Sequence, residues 1–205
     1  MPAGSPELTK ARREEIVAAC EQLYQTMSFK EITLKEIGKV TSFTRTSIYN
    51  YFQTKEEIFL EILKQEYEKW VVALRKITKE NPVLSKEEFA DKIAKSLEER
   101  EQLLKIMSMN LYDMEENSRI ESLIELKKAY GLSMQVFLSA LEQYFPEMSK
   151  EQRRNFIYYF FPFIYGIYPY TVGTEKQRTA MKAANVDYTY MSIYEITKNC
   201  LMQLL

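Results

Sequence analysis

An all-helical chain is predicted by three observations on its 205 residues. Glycine and proline are scarce, at five and six residues, too few for the turn density of sandwiches and barrels. Leu, Lys, Glu, Ile and Met, which lose little rotamer freedom in a helix, recur along the whole length. Finally, Ser or Thr followed three residues later by Glu or Gln opens one amphipathic run after another. In that spacing the hydroxyl and the longer side chain satisfy each other's otherwise orphaned backbone amides.

The elements follow in order. Ile16, Val17, Cys20, Leu23, Tyr24 and Met27 recur at helical spacing and predict a first helix over Thr9–Met27. Thr33-Leu34-Lys35-Glu36 has the form of a capping box and opens a short second helix. The hydroxyls of Thr41-Ser42-Phe43 compete with the backbone and end it. A third helix is expected over Thr44–Phe52. Thr54-Lys55-Glu56-Glu57 is a further capping box and opens a long fourth helix towards Lys79, which Asn81-Pro82 terminates. The same grammar at Ser85…Glu88, Ser118…Glu121 and Ser149…Gln152 predicts helices over 85–97, 99–112, 118–144, 149–171 and 187–204, about nine in all. The polar stretch 173–185 reads as a loop, with a short helical turn as the alternative.

Composition excludes several classes. An apolar content of 46% supports a real core and excludes global disorder. There is no histidine, and Cys20 and Cys200 lie far apart, so no metal site, cofactor or nucleophile motif is expected. An enzyme is disfavoured, and carboxylate pairs such as Glu98-Glu99 read as solvated helix surface. The start, Met1–Lys10, is polar and no run approaches the length of a spanning helix, so a cytoplasmic protein without membrane association is expected. Net charge is −1 overall, but residues 1–55 hold eight Lys/Arg against six Asp/Glu.

Two short helices separated by a three-residue break fit a helix-turn-helix, whose second helix enters the major groove of double-stranded DNA. Arg45 offers a planar donor fork, and Thr44, Thr46, Ser47 and Asn50 offer short hydrogen-bonding groups at the leading end of that helix. Ile48 and Phe52 would hold its opposite side to a core. The longer string from Thr33-Leu34-Lys35-Glu36-Ile37 through Thr44-Arg45-Thr46-Ser47-Ile48-Tyr49-Asn50-Tyr51-Phe52 to Lys55-Glu56 closely resembles the DNA-binding signature of the TetR family. The resemblance covers residues 12 to 60. Ser42-Phe43 stands where the family usually has Gly-Val, and Gln53 replaces a frequent Pro.

The resemblance implies a helix-turn-helix domain over residues 1–54, with a helical effector-binding and dimerisation domain over 55–205. It further implies phosphate contacts by Thr33, Tyr49 and Lys55, groove or backbone contact by Lys35, and base-edge contacts by Arg45, Thr46 and Asn50. Thr44 and Ser47 would flank these, and Tyr51 would pack or touch backbone. A homodimeric repressor released from its operator by a small molecule is the expectation. Its last two long helices, 149–171 and 187–204, would form the dimer bundle.

For the effector the residues alone say less. The aromatic run Phe156–Pro169 is too apolar all round for one buried face, and Pro162 interrupts its hydrogen-bond ladder. Met107, Tyr112, Phe137, Tyr158, Phe161 and Tyr165 are the candidates for an apolar or aromatic ligand. The bland alternative for each is core. A DNA-bound assembly or nucleoid factor, with a protein partner in place of the small molecule, stays open at this point.

Overall fold

The computed structural model describes residues 5–109 and 111–205. The first four residues of the polar start, and position 110 within the expected 99–112 helix, lie outside the described residues. Among the described residues there are twelve helices and no strand. They are α1 (Pro6–Tyr24), α2 (Leu34–Lys39), α3 (Arg45–Ile48), α4 (Lys55–Glu80), α5 (Lys86–Glu98), α6 (Glu101–Met107), α7 (Leu111–Glu116), α8 (Ile120–Tyr144), α9 (Lys150–Gly166), α10 (Tyr168–Thr171), α11 (Glu175–Ala183) and α12 (Ile193–Leu204).

The count exceeds nine because two expected helices divide and one expected loop is helical. Over 99–112, the Ser108 hydroxyl donates to the Lys105 carbonyl and closes α6. Over 149–171, α9 stops at Gly166 and Pro169 sits in the first turn of α10, where its missing N–H costs nothing. The segment read as a loop becomes α11, capped by Thr174 on the Gln177 amide. None of its residues is buried, so it has no apolar stripe for a periodicity reading to find.

Ends shift for identifiable reasons. Ser5 accepts from the Leu8 amide and Pro6 follows it, starting α1 earlier than Thr9. The expected third helix to Phe52 stops at Ile48, after which Asn50 and Tyr51 bond to carbonyls three residues back. Ser118 does not cap α8: its hydroxyl donates backwards to the Met114 carbonyl. Of the expected reciprocal boxes, Ser85…Glu88 and Ser149…Gln152 form, as does an unforeseen one at Ser192…Glu195. At Thr33 only the hydroxyl half forms, because Glu36 turns to Lys39 instead. At Thr54 the hydroxyl caps Glu57 N–H, but the Glu57 carboxylate takes Gln53 N–H.

The chain divides into two compact units, Met1–Gln65 with Asn110–Lys128, and Glu66–Met109 with Ala129–Leu205. In the first, Ile16, Cys20, Ile32, Ile37, Ile48, Phe52 and Phe59 form the buried core. Tyr24 and Phe29 set their rings edge-on to Phe59. Burial pushes the Cys20 thiol up to about 12, so it stays protonated and inert.

Among the described residues of this unit, one charge is buried. Glu57 is 1% exposed, and its carboxylate accepts from Arg119 Nε at 2.6 Å and Nη2 at 2.8 Å, from Arg119 N–H at 3.0 Å and from Gln53 N–H at 2.8 Å. The same guanidinium donates to the Tyr51 carbonyl, and Thr54 Oγ1 donates to the Asn117 carbonyl. These bonds bolt the start of α8 onto the start of α4 and the end of the helix-turn-helix.

In the second unit, Phe137 is fully buried among the rings of Trp70, Phe89, Phe156, Phe160 and Phe161. Trp70 Nε1 donates to Ser96 Oγ at 3.1 Å, leaving the indole satisfied. Helix α12 buries Ile193, Thr197 and Leu201, and its main neighbour is α5. No helix among the described residues is long and apolar enough to cross a membrane.

Desolvation drives the Glu57 carboxylate upward, but the hydrogen bonds from Arg119 and the two backbone amides outweigh it and hold the group below its ordinary value of 4.5. Its contribution to stability is therefore complete above that value and is lost as pH falls through the lowered one. Arg119→Met should strand this carboxylate and destabilise the protein by on the order of 3 kcal/mol at neutral pH. The deficit should shrink in acid, where protonated Glu57 no longer needs the cation. Urea denaturation followed by circular dichroism across that pH range checks both; a deficit independent of pH would remove Glu57 as its cause.

Candidate nucleic-acid interface

The interface is built on α2, the turn Val40–Phe43 and α3. Gly38 lets the elements close: a Cβ there would lie 3.3 Å from both Arg45 N and Phe43 O, which are backbone atoms with little room to yield. The turn works without glycine at Ser42, because no non-glycine residue but Asn185 has positive φ among the described residues. Side chains hold it instead. Thr41 Oγ1 donates to the Ile37 carbonyl and accepts from Phe43 N–H, while Ser42 N–H donates to Glu15 at 2.8 Å.

Thr44 caps α3 by accepting from Ser47 N–H. Ile48 and Phe52, at 0% and 1% exposure, anchor the inner side, which leaves Thr44, Arg45, Thr46, Tyr49 and Asn50 exposed together. Ser47 is half-buried with its hydroxyl 3.0 Å from that of Thr44. The Arg45 guanidinium donates to the Tyr49 hydroxyl at 2.9 Å and lies 5.6 Å from its ring centroid. Fork and phenol are thus positioned as a pair. Thr33 and Lys35 are exposed at the start of α2, where Thr33 also caps the Glu36 amide.

Two candidates have structural employment. Tyr51 is buried, its hydroxyl accepts from Arg12 Nη1 at 3.0 Å, and its carbonyl accepts from Arg13 and Arg119. Lys55 Nζ donates to the carbonyls of Phe29 at 2.6 Å and Ile32 at 3.1 Å, and stands 4.1 Å from the Phe29 ring centroid. It fastens the loop between α1 and α2. Sequence reasoning missed the residues that do the holding. Arg13 lies 4.2 Å from the Phe52 ring centroid and reaches Glu61. Its partners are 38 and 48 residues away, a separation no local motif signals.

The six effector candidates differ in their surroundings. Phe137 and Phe161 are core, as is Met107, at 2% exposure. Tyr165 shares a 2.7 Å hydroxyl–hydroxyl bond with buried Tyr67. Tyr112 belongs to the first unit and is 85% exposed. Tyr158 lines a groove between α8 and α9.

Against known proteins, residues 16–62 match the family described as bacterial regulatory proteins, tetR family, and residues 64–205 match the tetracyclin repressor-like C-terminal domain. QacR, an HTH-type transcriptional regulator of Staphylococcus aureus, is 33% identical over 58 residues, which is 28% of this chain and 31% of QacR. The chain thus spans under a third of that relative's length. Two solved structures share the fold. The fatty acid degradation regulator FadR of Bacillus halodurans has a TM-score of 0.59 at 17% identity, covering 98% of this chain and 96% of that one. FadR of Thermus thermophilus, solved with lauroyl-CoA, has 0.56 at 18%, covering 94% of each.

Arg45 and Lys55 should therefore fail differently. Arg45→Ala should leave the melting temperature unchanged and reduce discrimination between duplexes by about 1–3 kcal/mol. Lys55→Ala should lower the melting temperature, through a loss of about 1–2 kcal/mol of charge-assisted bonding, and weaken all duplexes together. Thermal denaturation beside fluorescence-anisotropy titrations separates them. An unchanged melting temperature for Lys55→Ala would free that ammonium for phosphate.

Proposed function

Because the chain belongs to the TetR family of bacterial transcription regulators, we propose that it is a homodimeric repressor whose residues 1–54 read an operator and whose residues 55–205 pair the copies and bind a small-molecule effector. The observation that carries the reading is the exposed set Thr44, Arg45, Thr46, Tyr49 and Asn50 on a helix anchored by fully buried Ile48. Arg45, Thr46 and Asn50 take the base edges in this reading. Tyr49, Lys35 and Thr33 meet backbone phosphates, with Thr44 and Ser47 flanking, while Tyr51 and Lys55 act chiefly by holding the unit's shape.

Dimerisation follows from the size of one reading head, since specific affinity comes from two half-sites about a helical turn or more apart. Helices α9 and α12 are the proposed interface. Tyr159 is exposed on α9, and Ile196 and Cys200 on α12 stay half-buried after α12 has buried Ile193, Thr197 and Leu201. Release by an effector requires that it bind the form unable to hold DNA more tightly than the form that holds it. The protein catalyses no reaction in this reading. It acts by occupancy of DNA in the cytoplasm.

Selection of bound duplexes from a random pool should yield an inverted repeat occupied by two chains per half-site pair, or a multiple of this. Recovery of unordered sequences, or of single half-sites bound by one chain, would overturn the reading.

A further inference from the structure

Helices α8 and α9 are antiparallel neighbours, because Tyr130 on α8 meets Phe161 and Tyr165 on α9 while Phe137 meets Phe156 and Phe160. Outside this aromatic seam they leave a groove of about 460 Å³, within the range of small-molecule sites. From Gly131 to Glu142 it follows α8 for about 16 Å.

The two ends of the groove differ in chemistry. Towards Gly131 the walls are Met134, Leu138, Ile157 and Tyr158. Towards the α8–α9 turn they carry Lys150, Arg153 and Arg154 against one carboxylate, Glu142. Among the described residues none of these three cations is paired with a carboxylate. Arg153 is held by donating to the carbonyls of Phe145 and Pro146, and its Nε–H is buried without an acceptor. At the apolar end, Gly131 interrupts a helix interior where alanine would be more stable. A Cβ placed there would have nothing within 4 Å, so the glycine widens the groove and relieves no crowding.

We propose that this groove binds a single-chain amphiphile: an unbranched alkyl tail along Met134, Leu138 and Ile157, with its terminal anion at Lys150, Arg153 and Arg154. A tail alone would leave the cations unmatched, and a cationic amphiphile would be repelled by them. A carboxylate and a phosphate monoester supply the same charge at that end. The proposal rests on the reading of residues 55–205 as effector-binding and adds the site and the ligand class.

Isothermal titration of the full chain with dodecanoate, dodecyl phosphate, dodecanol and dodecyltrimethylammonium, each below its aggregation threshold, tests it. One or both anions should bind saturably, one per chain, and at least about tenfold more tightly than the alcohol or the cation. Which anion wins names the source. Lys150→Gln with Arg154→Gln should cost at least about tenfold in anion affinity. Gly131→Leu should abolish binding while the melting temperature holds or rises, which separates a filled groove from a misfolded one. Equal binding of the cation, no saturable binding, or full affinity in Gly131→Leu would overturn the site. So would a change of oligomeric state in Gly131→Leu without a change of affinity, which would make the groove a surface between copies. Adding operator DNA reads the other question: an anion that binds the groove yet releases no DNA keeps this site and rejects effector release.

Discussion

Four N–H donors, one from Gln53 and three from Arg119, 62 residues beyond Glu57, converge on the two oxygens of Glu57 where water does not reach. A carboxylate taken out of water is costly unless its lone pairs are met, and here the bidentate fork of Arg119 and two backbone amides meet them. The same guanidinium continues to the Tyr51 carbonyl, which lies just past α3. Arg13 reaches that carbonyl from α1. The stretch just past α3 is therefore fixed by charge-assisted bonds from two arginines, one on α1 and one ahead of α8.

This arrangement sorts the signature residues into two groups. Those whose side chains point away from the core, Thr44, Arg45, Thr46, Tyr49 and Asn50, stay exposed to a duplex, although Thr44 also caps α3 and Arg45 pairs with Tyr49. Tyr51 and Lys55, within the same string, are spent on internal bonds. A motif read as contacts with DNA thus also contains the groups that give those contacts a rigid base. Rigidity matters because a base-edge bond discriminates only when a misplaced donor cannot relax onto the wrong base.

Much of the fold was legible because capping is local. Ser85, Ser149 and Thr33 announce helix starts within three residues, and the structure places α5, α9 and α2 there. What escaped was non-local or lacked an apolar stripe. Glu57 reads as the closing residue of a capping box, yet its carboxylate answers to Arg119, and nothing around Arg119 signals that. Ser118 reads as a cap and instead closes the helix before it. Helix α11 has no buried residue. Of the effector candidates, Phe137 and Phe161 lie in the core, because large apolar side chains serve a core first.

Trp70 is the chain's single tryptophan, and it lies wholly in the second unit, ringed by Phe137 and Phe161 and hydrogen-bonded to Ser96. The first unit has no tryptophan, and its phenols include Tyr24, Tyr49 and Tyr51. Indole fluorescence from this protein therefore watches one unit alone. A chain whose helix-turn-helix had already melted would still look intact in a fluorimeter, while far-ultraviolet dichroism, which weighs every helix, would register the loss.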